Sequence, residues 1–157
     1  MPFNIERAVA IATPLVKALE GERLTAYRKT GDVWTVGYGH TNAMPPTIVK
    51  PGLTITQTQA DALLYGDLRR VAVGIARMVT VGITDNAAAA LVSFVHNVGE
   101  SAFGRSTLLR TLNKGCRLCA AAQFAAWTKG PPGTRAGLAM RRAREAALFL
   151  APQKISG

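Results

Sequence analysis

The residue with the clearest capacity for chemistry is Glu20, which opens the stretch EGERLTAYRKTGDVWTVGYGHT over residues 20–41. The apolar helical spacing before it ends at Leu19, so Glu20 is predicted to lie at a helix end. A carboxyl group that keeps its proton near neutral pH can donate that proton to the leaving oxygen of a glycosidic bond, and partial burial favours the protonated form. The alternative interpretation is an ordinary solvated acid at a helix end.

An extended segment follows this acid. From Val33 to Tyr38 the residues alternate with a period of two, and Val, Trp, Thr and Tyr suit a half-buried sheet, which predicts a strand in a hairpin. The turn before the strand is predicted at residues 30–32, which read Thr-Gly-Asp. Gly37 and Gly39 flank Tyr38 and allow a tight bend or the close approach of a ligand. Together these features predict a cleft wall with one acid at its base.

This stretch resembles the active-site segment of the phage-type lysozymes, the endolysins of glycoside hydrolase family 24. Their segment has a Glu, then eight residues and an Asp or sometimes a Cys, then five residues and a Thr, in a context like EGxRLxAY…WTIGYGHT. Glu20 and Thr35 stand at the first and last of these positions, and Lys29 stands at the middle one. The resemblance continues over nearly the whole chain through four blocks in the same order: ITQTQADALLYGDL, ALVSFVHNVG, AFGRSTLLRTLNKG and GLAMRRAREAALFL.

The resemblance implies an enzyme, a muramidase. Such an enzyme cuts the β-1,4 bond between N-acetylmuramic acid and N-acetylglucosamine in peptidoglycan and so lyses bacterial host cells. Glu20 is implied as the general acid, and the Thr35 hydroxyl is implied to face the cleft and hold the attacking water. No cofactor and no metal are implied. The alternative on the same fold is a catalytically weak or inactive cationic protein that binds the wall or disrupts membranes.

Lys29 occupies the position at which the resembling family keeps its second carboxylate. A protonated lysine neither activates a water molecule nor favours an oxocarbenium-like transition state, which is itself positive. Three interpretations stay open. Asp32 supplies the second carboxylate; or Lys29 points to solvent while Glu20 and Thr35 sustain reduced catalysis; or the protein is a weak or inactive enzyme.

The resemblance also implies a set of residues that contact the sugar chain: Tyr38, His40, Asn97, Ser106 and Arg141. Asn97 and Ser106 are equally well explained as a helix stop and a helix cap. His40 is expected to be a structural residue at the end of the sheet, in an ion pair or a hydrogen bond. In the resembling fold the last helix returns to the first, so Arg141 or Arg142 is expected near the proposed acid, where it would orient the carboxylate. The alternative is a basic face in contact with solvent.

The order of the predicted elements is a helix, a small sheet and then helices only. This order predicts an α+β fold that is mostly helical and two-lobed, with a small antiparallel sheet in the N-terminal lobe. The resemblance implies that this fold is lysozyme-like. We expect a single domain over residues 1–157. Its parts are a small lobe at about 20–55, a bridging helix at about 57–78, and a helical lobe at about 79–151 that also includes the N-terminal helix.

Local signals predict where the helices begin and end. Asn4 caps the first helix, in which Pro14 predicts a kink or a break into two short helices. Thr56 and Gln59 predict a capping box at the start of a long helix. The helix that follows Thr84 is apolar almost all round, which predicts a position at the centre of the core. Further helices are predicted to start at Ser106 or Thr107 and to run over about 117–127 and about 134–150.

The charge of the chain restricts its partners. Nineteen Lys and Arg against nine Asp and Glu give a formal net charge of +10, which attracts polyanions such as nucleic acid, anionic outer-membrane lipid or cell-wall polymer. No helix-turn-helix and no basic aromatic motif supports nucleic acid. The uncharged run at 8–16 is too short to span a bilayer, and no signal peptide is predicted. The resemblance implies that the protein is a monomer. It also implies that the protein stays in the host cytoplasm until a holin-like pore lets it reach the periplasm and the cell wall.

Cys116 and Cys119 have a C-x-x-C spacing in a helical context. This pattern favours two small buried residues, because a zinc site needs two further ligands that no nearby motif supplies. A thioredoxin-like redox site would need a strand before the helix, and that strand is missing from the predicted elements. Two cysteines alone also predict no disulfide framework.

Overall fold

A computed structural model describes residues 1–29, 31 and 33–153 of the chain, apart from the side chain of Lys29. This part of the chain forms seven α-helices, one 3-10 helix and a three-stranded sheet. The elements are α1 Ile5–Glu20, β1 Arg23–Lys29, β2 Val33–Gly37, β3 His40–Thr41, α2 Gln57–Met78, α3 Asp85–Val98, α4 Glu100–Gly104, α5 Thr107–Asn113, α6 Arg117–Gln123, the 3-10 helix Phe124–Ala126 and α7 Arg135–Leu150. The predicted α+β class, mostly helical with a small antiparallel sheet, is confirmed.

The first helix is continuous from Ile5 to Glu20, with Pro14 inside it. The expectation of two separate short helices is wrong. The Asn4 side chain caps the helix by accepting a hydrogen bond from the Arg7 backbone N–H, as predicted. Gly21 ends the helix with φ +67°, a value that glycine adopts without steric cost. Glu20 is therefore the last helical residue, as the apolar spacing predicted.

The sheet has the order β1-β2-β3 with antiparallel pairing throughout. Its register sets Thr35 in the central strand opposite Tyr27 of β1 and Thr41 of β3. The segment after the loop extends this pairing, because the backbone of Leu53 and Ile55 exchanges hydrogen bonds with β1. The predicted strand is thus confirmed, although it ends one residue early, at Gly37, where φ is +66°.

Two long helices follow the predicted pattern. Thr56 and Gln59 form the capping box at the start of α2, each side chain bonding to the other residue's backbone N–H. The Thr84 side chain caps α3, in which every residue from 87 to 95 is buried, so its predicted place at the centre of the core is confirmed. Helix α3 packs against α1, α2 and α7. No helix of the described residues has both the length and the apolarity that a bilayer span requires.

Aromatic rings fill the core between α3 and the later helices. Phe94 of α3 meets the rings of Phe124 and Trp127 edge to face, with ring centroids 5.3 Å apart in both pairs. Phe103 and Phe149 extend the same cluster. Each such pair adds about 1 kcal/mol to the effect of burying the rings. The cluster fixes α3 relative to α7, and these two helices carry most of the polar groups described below.

The later helices differ from the sequence predictions in three places. Helix α4 was not predicted. The helix expected over about 117–127 is instead α6 followed by the 3-10 helix. Cys116 and Cys119 form a disulfide, and the Cys119 residue is exposed, so the prediction of two small buried residues is wrong. The reason is local geometry. The two cysteines begin the first turn of α6, which brings their Cα atoms within 5.2 Å, a normal separation for a disulfide.

Candidate active site

Glu20 points into the protein from the end of α1. Its side chain is 12% exposed, and its Oε1 accepts a hydrogen bond from Arg141 Nη1 at 2.7 Å. The guanidinium is itself buried, with 7% of its side chain exposed. The expectation that an arginine of the last helix approaches Glu20 is therefore confirmed for Arg141. A charge-assisted hydrogen bond of this kind fixes the orientation of the carboxylate.

Arg141 also contacts a second carboxylate, that of Glu145, whose side chain is 0% exposed. Arg141 Nε lies 3.4 Å from Glu145 Oε2, and the Ser93 hydroxyl donates to the same oxygen at 2.7 Å. The remaining guanidinium nitrogen, Nη2, donates to the Ser93 carbonyl at 2.9 Å. Burial raises the pKa of the Glu145 carboxyl, although both neighbouring arginines pull that pKa down. Arg141 thus connects the Glu20 carboxylate at the end of α1 to two buried polar side chains, Ser93 of α3 and Glu145 of α7.

Arg142 extends the same group of residues to the end of α3. Its guanidinium donates to Glu145 and to the side-chain oxygen of Asn97, and its Nε donates to the Trp127 carbonyl at 3.0 Å. It also lies over the Phe94 ring, 4.9 Å from the centroid. Burial lowers the pKa of this guanidinium, while the Glu145 carboxylate opposes that effect. Asn97, which is predicted to bind substrate, is therefore held by Arg142. Glu145 links Arg142 to Arg141, the arginine that orients Glu20.

The glycine-rich exit from β2 passes directly beside Glu20. Gly39 has φ +89°, and a Cβ atom built on it would lie 3.3 Å from Glu20 Oε2 and 3.9 Å from His96 Nε2. Gly39 also lines a cavity of about 280 Å³. The cavity is bounded by residues of the turn after β2, of β3 and the loop after it, of α2, of the end of α3 and of the start of α4: Gly39, Thr41, Ala43, Met44, Asp67, Val71, Val95, His96, Asn97, Val98, Gly99 and Glu100. The absence of a side chain at Gly39 lets the Glu20 carboxylate lie next to the wall of this cavity.

Replacing Gly39 by Ala is expected to lower activity at least tenfold. The new Cβ would push on the Glu20 carboxylate, and alanine at this φ costs about 1–2 kcal/mol of stability. Gly52→Ala is the matched control, because Gly52 has φ +83° with nothing within 4 Å of the point that its Cβ would occupy. Both variants should lose similar amounts of thermal stability, whereas only Gly39→Ala should lose the turnover on purified peptidoglycan that the sequence resemblance implies. Equal turnover in the two variants would contradict the steric argument.

His40 is a structural residue at the end of the sheet, as expected. It is buried, its Nδ1 lies 2.7 Å from Asp67 Oδ2, and its Nε2 lies 2.9 Å from the Pro46 carbonyl. Burial lowers the pKa of the ring, but the Asp67 carboxylate and the Pro46 carbonyl outweigh that effect, so the pKa of His40 is raised above its ordinary value. The pair joins β3 and the following loop to α2. The further role of His40 in substrate binding stays a prediction.

This pair predicts a pH-dependent stability. Because the pKa of His40 is higher in the folded state, its protonation stabilises the fold fully below the unfolded pKa of about 6.5. That contribution is lost as pH rises through the higher folded pKa. Asp67→Asn should cost about 3 kcal/mol at pH 5.5, and the cost should shrink toward pH 8.5. Urea unfolding of both proteins over this pH range measures the difference, and a cost that does not vary with pH would refute the role of the charged pair.

The other predicted site residues have varied surroundings. Thr35 is fully buried, and its hydroxyl lies 3.4 Å from the Val33 carbonyl. The Tyr38 hydroxyl donates to Glu22 at 2.5 Å, which raises the pKa of the phenol. Ser106 caps α5 by accepting from the Leu109 N–H and also donates to the Phe103 carbonyl. The roles of Thr35, Tyr38 and Ser106 in the reaction stay predictions.

Two of the predicted catalytic residues are described incompletely or not at all. Asp32 is not described at all, and of Lys29 only the backbone is described, at the end of β1 opposite Val33. The three interpretations of this position therefore stay as the sequence left them. Reasoning from the sequence missed Glu145 and Ser93. Glu145 did carry a signal, because it follows Arg141 and Arg142 by four and three residues on one helix face.

A largely helical chain with a three-stranded sheet, in which an arginine of the last helix holds a glutamate at the end of the first, is a lysozyme-like protein. The muramidase domain of SpmX from Asticaccaulis excentricus has the same fold, with a TM-score of 0.81 and 36% sequence identity over 90% of this chain and 95% of that chain. The phage lysozyme family matches residues 17–145. The chain belongs to this family.

Two curated relatives have similar identity and different lengths. The chain is 41% identical over 137 residues to the endolysin of Bacillus phage PZA, an alignment that covers 86% of this chain and 52% of the relative. It is also 41% identical over 135 residues to the endolysin of Salmonella phage P22, with 86% and 92% covered. The chain thus spans about half the length of the first relative and nearly all of the second.

Proposed function

We propose that this chain is a peptidoglycan hydrolase, a glycoside hydrolase of the lysozyme type that cleaves the β-1,4 bond between N-acetylmuramic acid and N-acetylglucosamine. The observation that carries the proposal is the mostly buried carboxylate of Glu20, held by Arg141 and lying against Gly39 at the wall of a cavity. Membership of the phage lysozyme family supports this activity over the alternative of an inactive cationic wall-binding or membrane-disrupting protein.

In this proposal Glu20 is the general acid. Its Oε1 is the oxygen that accepts from Arg141, and its Oε2 faces Gly39, so Oε2 is the oxygen proposed to give a proton to the leaving sugar. The charge of Arg141 is shared with Glu145, which limits how strongly the arginine favours the ionised form of Glu20. Arg141 therefore orients the Glu20 carboxyl group, while the Glu145 carboxylate offsets part of the positive charge of Arg141.

The far side of the sugar requires a group that holds or activates water. Thr35 is proposed for this role, together with Asp32 or a repositioned neighbour. Turnover of Lys29→Asp and Asp32→Asn on purified peptidoglycan separates the three interpretations. A large gain from Lys29→Asp would identify a site weakened by the lysine. A large loss from Asp32→Asn would identify the relocated carboxylate, and no change from either would leave Glu20 and Thr35 as sufficient.

The partners and route follow from the same proposal. The substrate is the glycan strand of peptidoglycan. The formal charge of +10 would attract anionic wall polymer and anionic outer-membrane lipid. We propose that the protein acts as a monomer, stays in the host cytoplasm until a holin-like pore opens, and then acts in the periplasm on the cell wall.

The proposed activity is tested by digesting purified peptidoglycan, which contains no membrane. The digest is analysed by mass spectrometry for muropeptides and by reducing-end chemistry for the sugar that carries the new end. We expect N-acetylmuramic acid at the new reducing ends. Clearing of intact cells without any muropeptide release from purified peptidoglycan would overturn the proposal and favour the membrane-disrupting alternative.

A further inference from the structure

The Tyr38 side chain contacts the chain on both sides of the proposed acid. The Lys17 ammonium, in the last turn of α1, lies over the Tyr38 ring, 5.1 Å from the centroid. The Tyr38 hydroxyl donates to Glu22 Oε2 at 2.5 Å. Lys17 precedes Glu20 by three residues and Glu22 follows it by two. Tyr38 directly precedes Gly39, so these contacts hold the segment that carries Glu20 to the turn that carries Gly39.

The same hydroxyl also contacts the start of α2. Gln57 Nε2 donates to the Tyr38 hydroxyl at 3.0 Å and to Asp61 Oδ1 at 3.0 Å, and Asp61 Oδ1 lies 2.9 Å from Lys17 Nζ. The side chains of Lys17 and Asp61 are 35% and 47% exposed, and an ion pair this open to water contributes little by itself. Tyr38 is instead buried and contacts all three segments. It is therefore the member of this group whose loss should matter most.

We propose that Tyr38 is a positioning residue for the reaction, whose side chain holds the end of α1 against the turn after β2 and so keeps the Glu20 carboxyl group beside Gly39. This inference rests on the proposed role of Glu20. Gly21 follows Glu20 with φ +67°, and a glycine leaves the backbone more freedom than any other residue. The bond from Tyr38 to Glu22 limits the movement that this glycine allows. A shift of about 1 Å in a reacting group can cost up to about a hundredfold in rate.

The first test removes only the hydroxyl. Tyr38→Phe keeps the ring and should lower kcat on purified peptidoglycan about tenfold with little change in KM, because the acid is misplaced while the sugar still binds. Tyr65→Phe is the matched control. The Tyr65 hydroxyl of α2 donates to Glu6 Oε2 of α1 at 2.8 Å, so its loss removes the same kind of bond away from the site and should leave kcat unchanged. Thermal unfolding shows that both variants are folded.

Two kinetic results would overturn the inference. One is an unchanged kcat in Tyr38→Phe. The other is a raised KM at constant kcat, which would make Tyr38 a residue that binds the sugar and does not position the acid.

A double variant tests the route through Glu22. Glu22 is exposed, and Glu22→Ala removes the acceptor of the Tyr38 hydroxyl. This substitution should lower kcat in the wild type but should cause no further loss in Tyr38→Phe, because both changes break one bond. Losses that multiply in the double variant would show that the two residues act independently and would refute the proposed route.

A further measurement does not depend on activity. The Gly21 backbone N–H donates to the Lys17 carbonyl at 3.1 Å, and its hydrogen exchange reports on the order at the end of α1. Exchange of this amide should be faster in Tyr38→Phe than in the wild type and unchanged in Tyr65→Phe. Equal exchange in Tyr38→Phe and the wild type would overturn this inference, whether or not the protein digests peptidoglycan. Absence of muropeptide release by the wild type would instead refute the proposed function.

Discussion

Glu20→Gln is expected to lower turnover on purified peptidoglycan about a thousandfold while the fold is retained. Glutamine has nearly the same size, and its side-chain oxygen can still accept the hydrogen bond from Arg141 Nη1. The amide, however, has no proton that it can give to a leaving sugar oxygen. The loss should therefore fall on the chemical step, in kcat, with little change in KM. Reducing-end release and thermal unfolding, measured on the same preparations, separate lost chemistry from lost structure.

Glu6→Gln is the matched control for this result. Glu6 lies on the same helix and also pairs with an arginine, because its Oε1 accepts from Arg69 Nε at 2.9 Å, but its side chain is 56% exposed. It has no part in the proposed site, so its variant should digest peptidoglycan at the wild-type rate. If Glu20→Gln kept more than about a tenth of the wild-type turnover, Glu20 would not be the general acid.

Local rules predicted those parts of the fold that depend on neighbouring residues. The cap at Asn4, the capping box of Thr56 and Gln59, and the apolar helix after Thr84 each depend on residues within one or two turns, and each is present. The disulfide between Cys116 and Cys119 is equally local, but the C-x-x-C spacing alone does not distinguish a bonded pair from two buried thiols. The exposure of Cys119, which depends on how α6 packs, also does not follow from this spacing.

The candidate site depends on contacts between distant parts of the chain, and there the sequence was less informative. Arg141 lies 121 residues from Glu20, and only the resemblance to a known family suggested that they meet. Ser93 bonds to Glu145 across 52 residues, and no spacing rule reaches that far. For His40 a partner was expected, but its identity as Asp67 required the packing of α2 against the sheet. Packing of the core brings the end of α1, the turn after β2, α3 and α7 together around Glu20. The spacing of residues along the chain does not specify that packing.

Glu145→Gln should be the most destabilising single change among the polar residues around Glu20. The carboxylate is fully buried between Arg141 and Arg142 and accepts from the Ser93 hydroxyl, so its loss leaves two guanidinium groups in the core with less compensating charge. Removing one partner of a buried ion pair costs about 3–5 kcal/mol. In a chain of this length each kcal/mol lowers Tm by about 2–4 °C, so a decrease of about 10 °C is expected.

The same substitution should change the chemistry as well as the stability. Without Glu145, Arg141 keeps its bond to Glu20 but its charge is no longer shared, so it favours the ionised carboxylate more strongly. The alkaline limb of the pH–activity profile should therefore move toward acid, measured at a temperature at which the variant is fully folded. Arg144→Gln provides the control, because Arg144 lies on the same helix but is exposed, and it should change neither Tm nor the profile appreciably. A Glu145→Gln protein that melts near the wild-type temperature would show that other groups stabilise the two buried guanidinium groups. An unchanged alkaline limb would show that Glu145 does not affect the ionisation of Glu20.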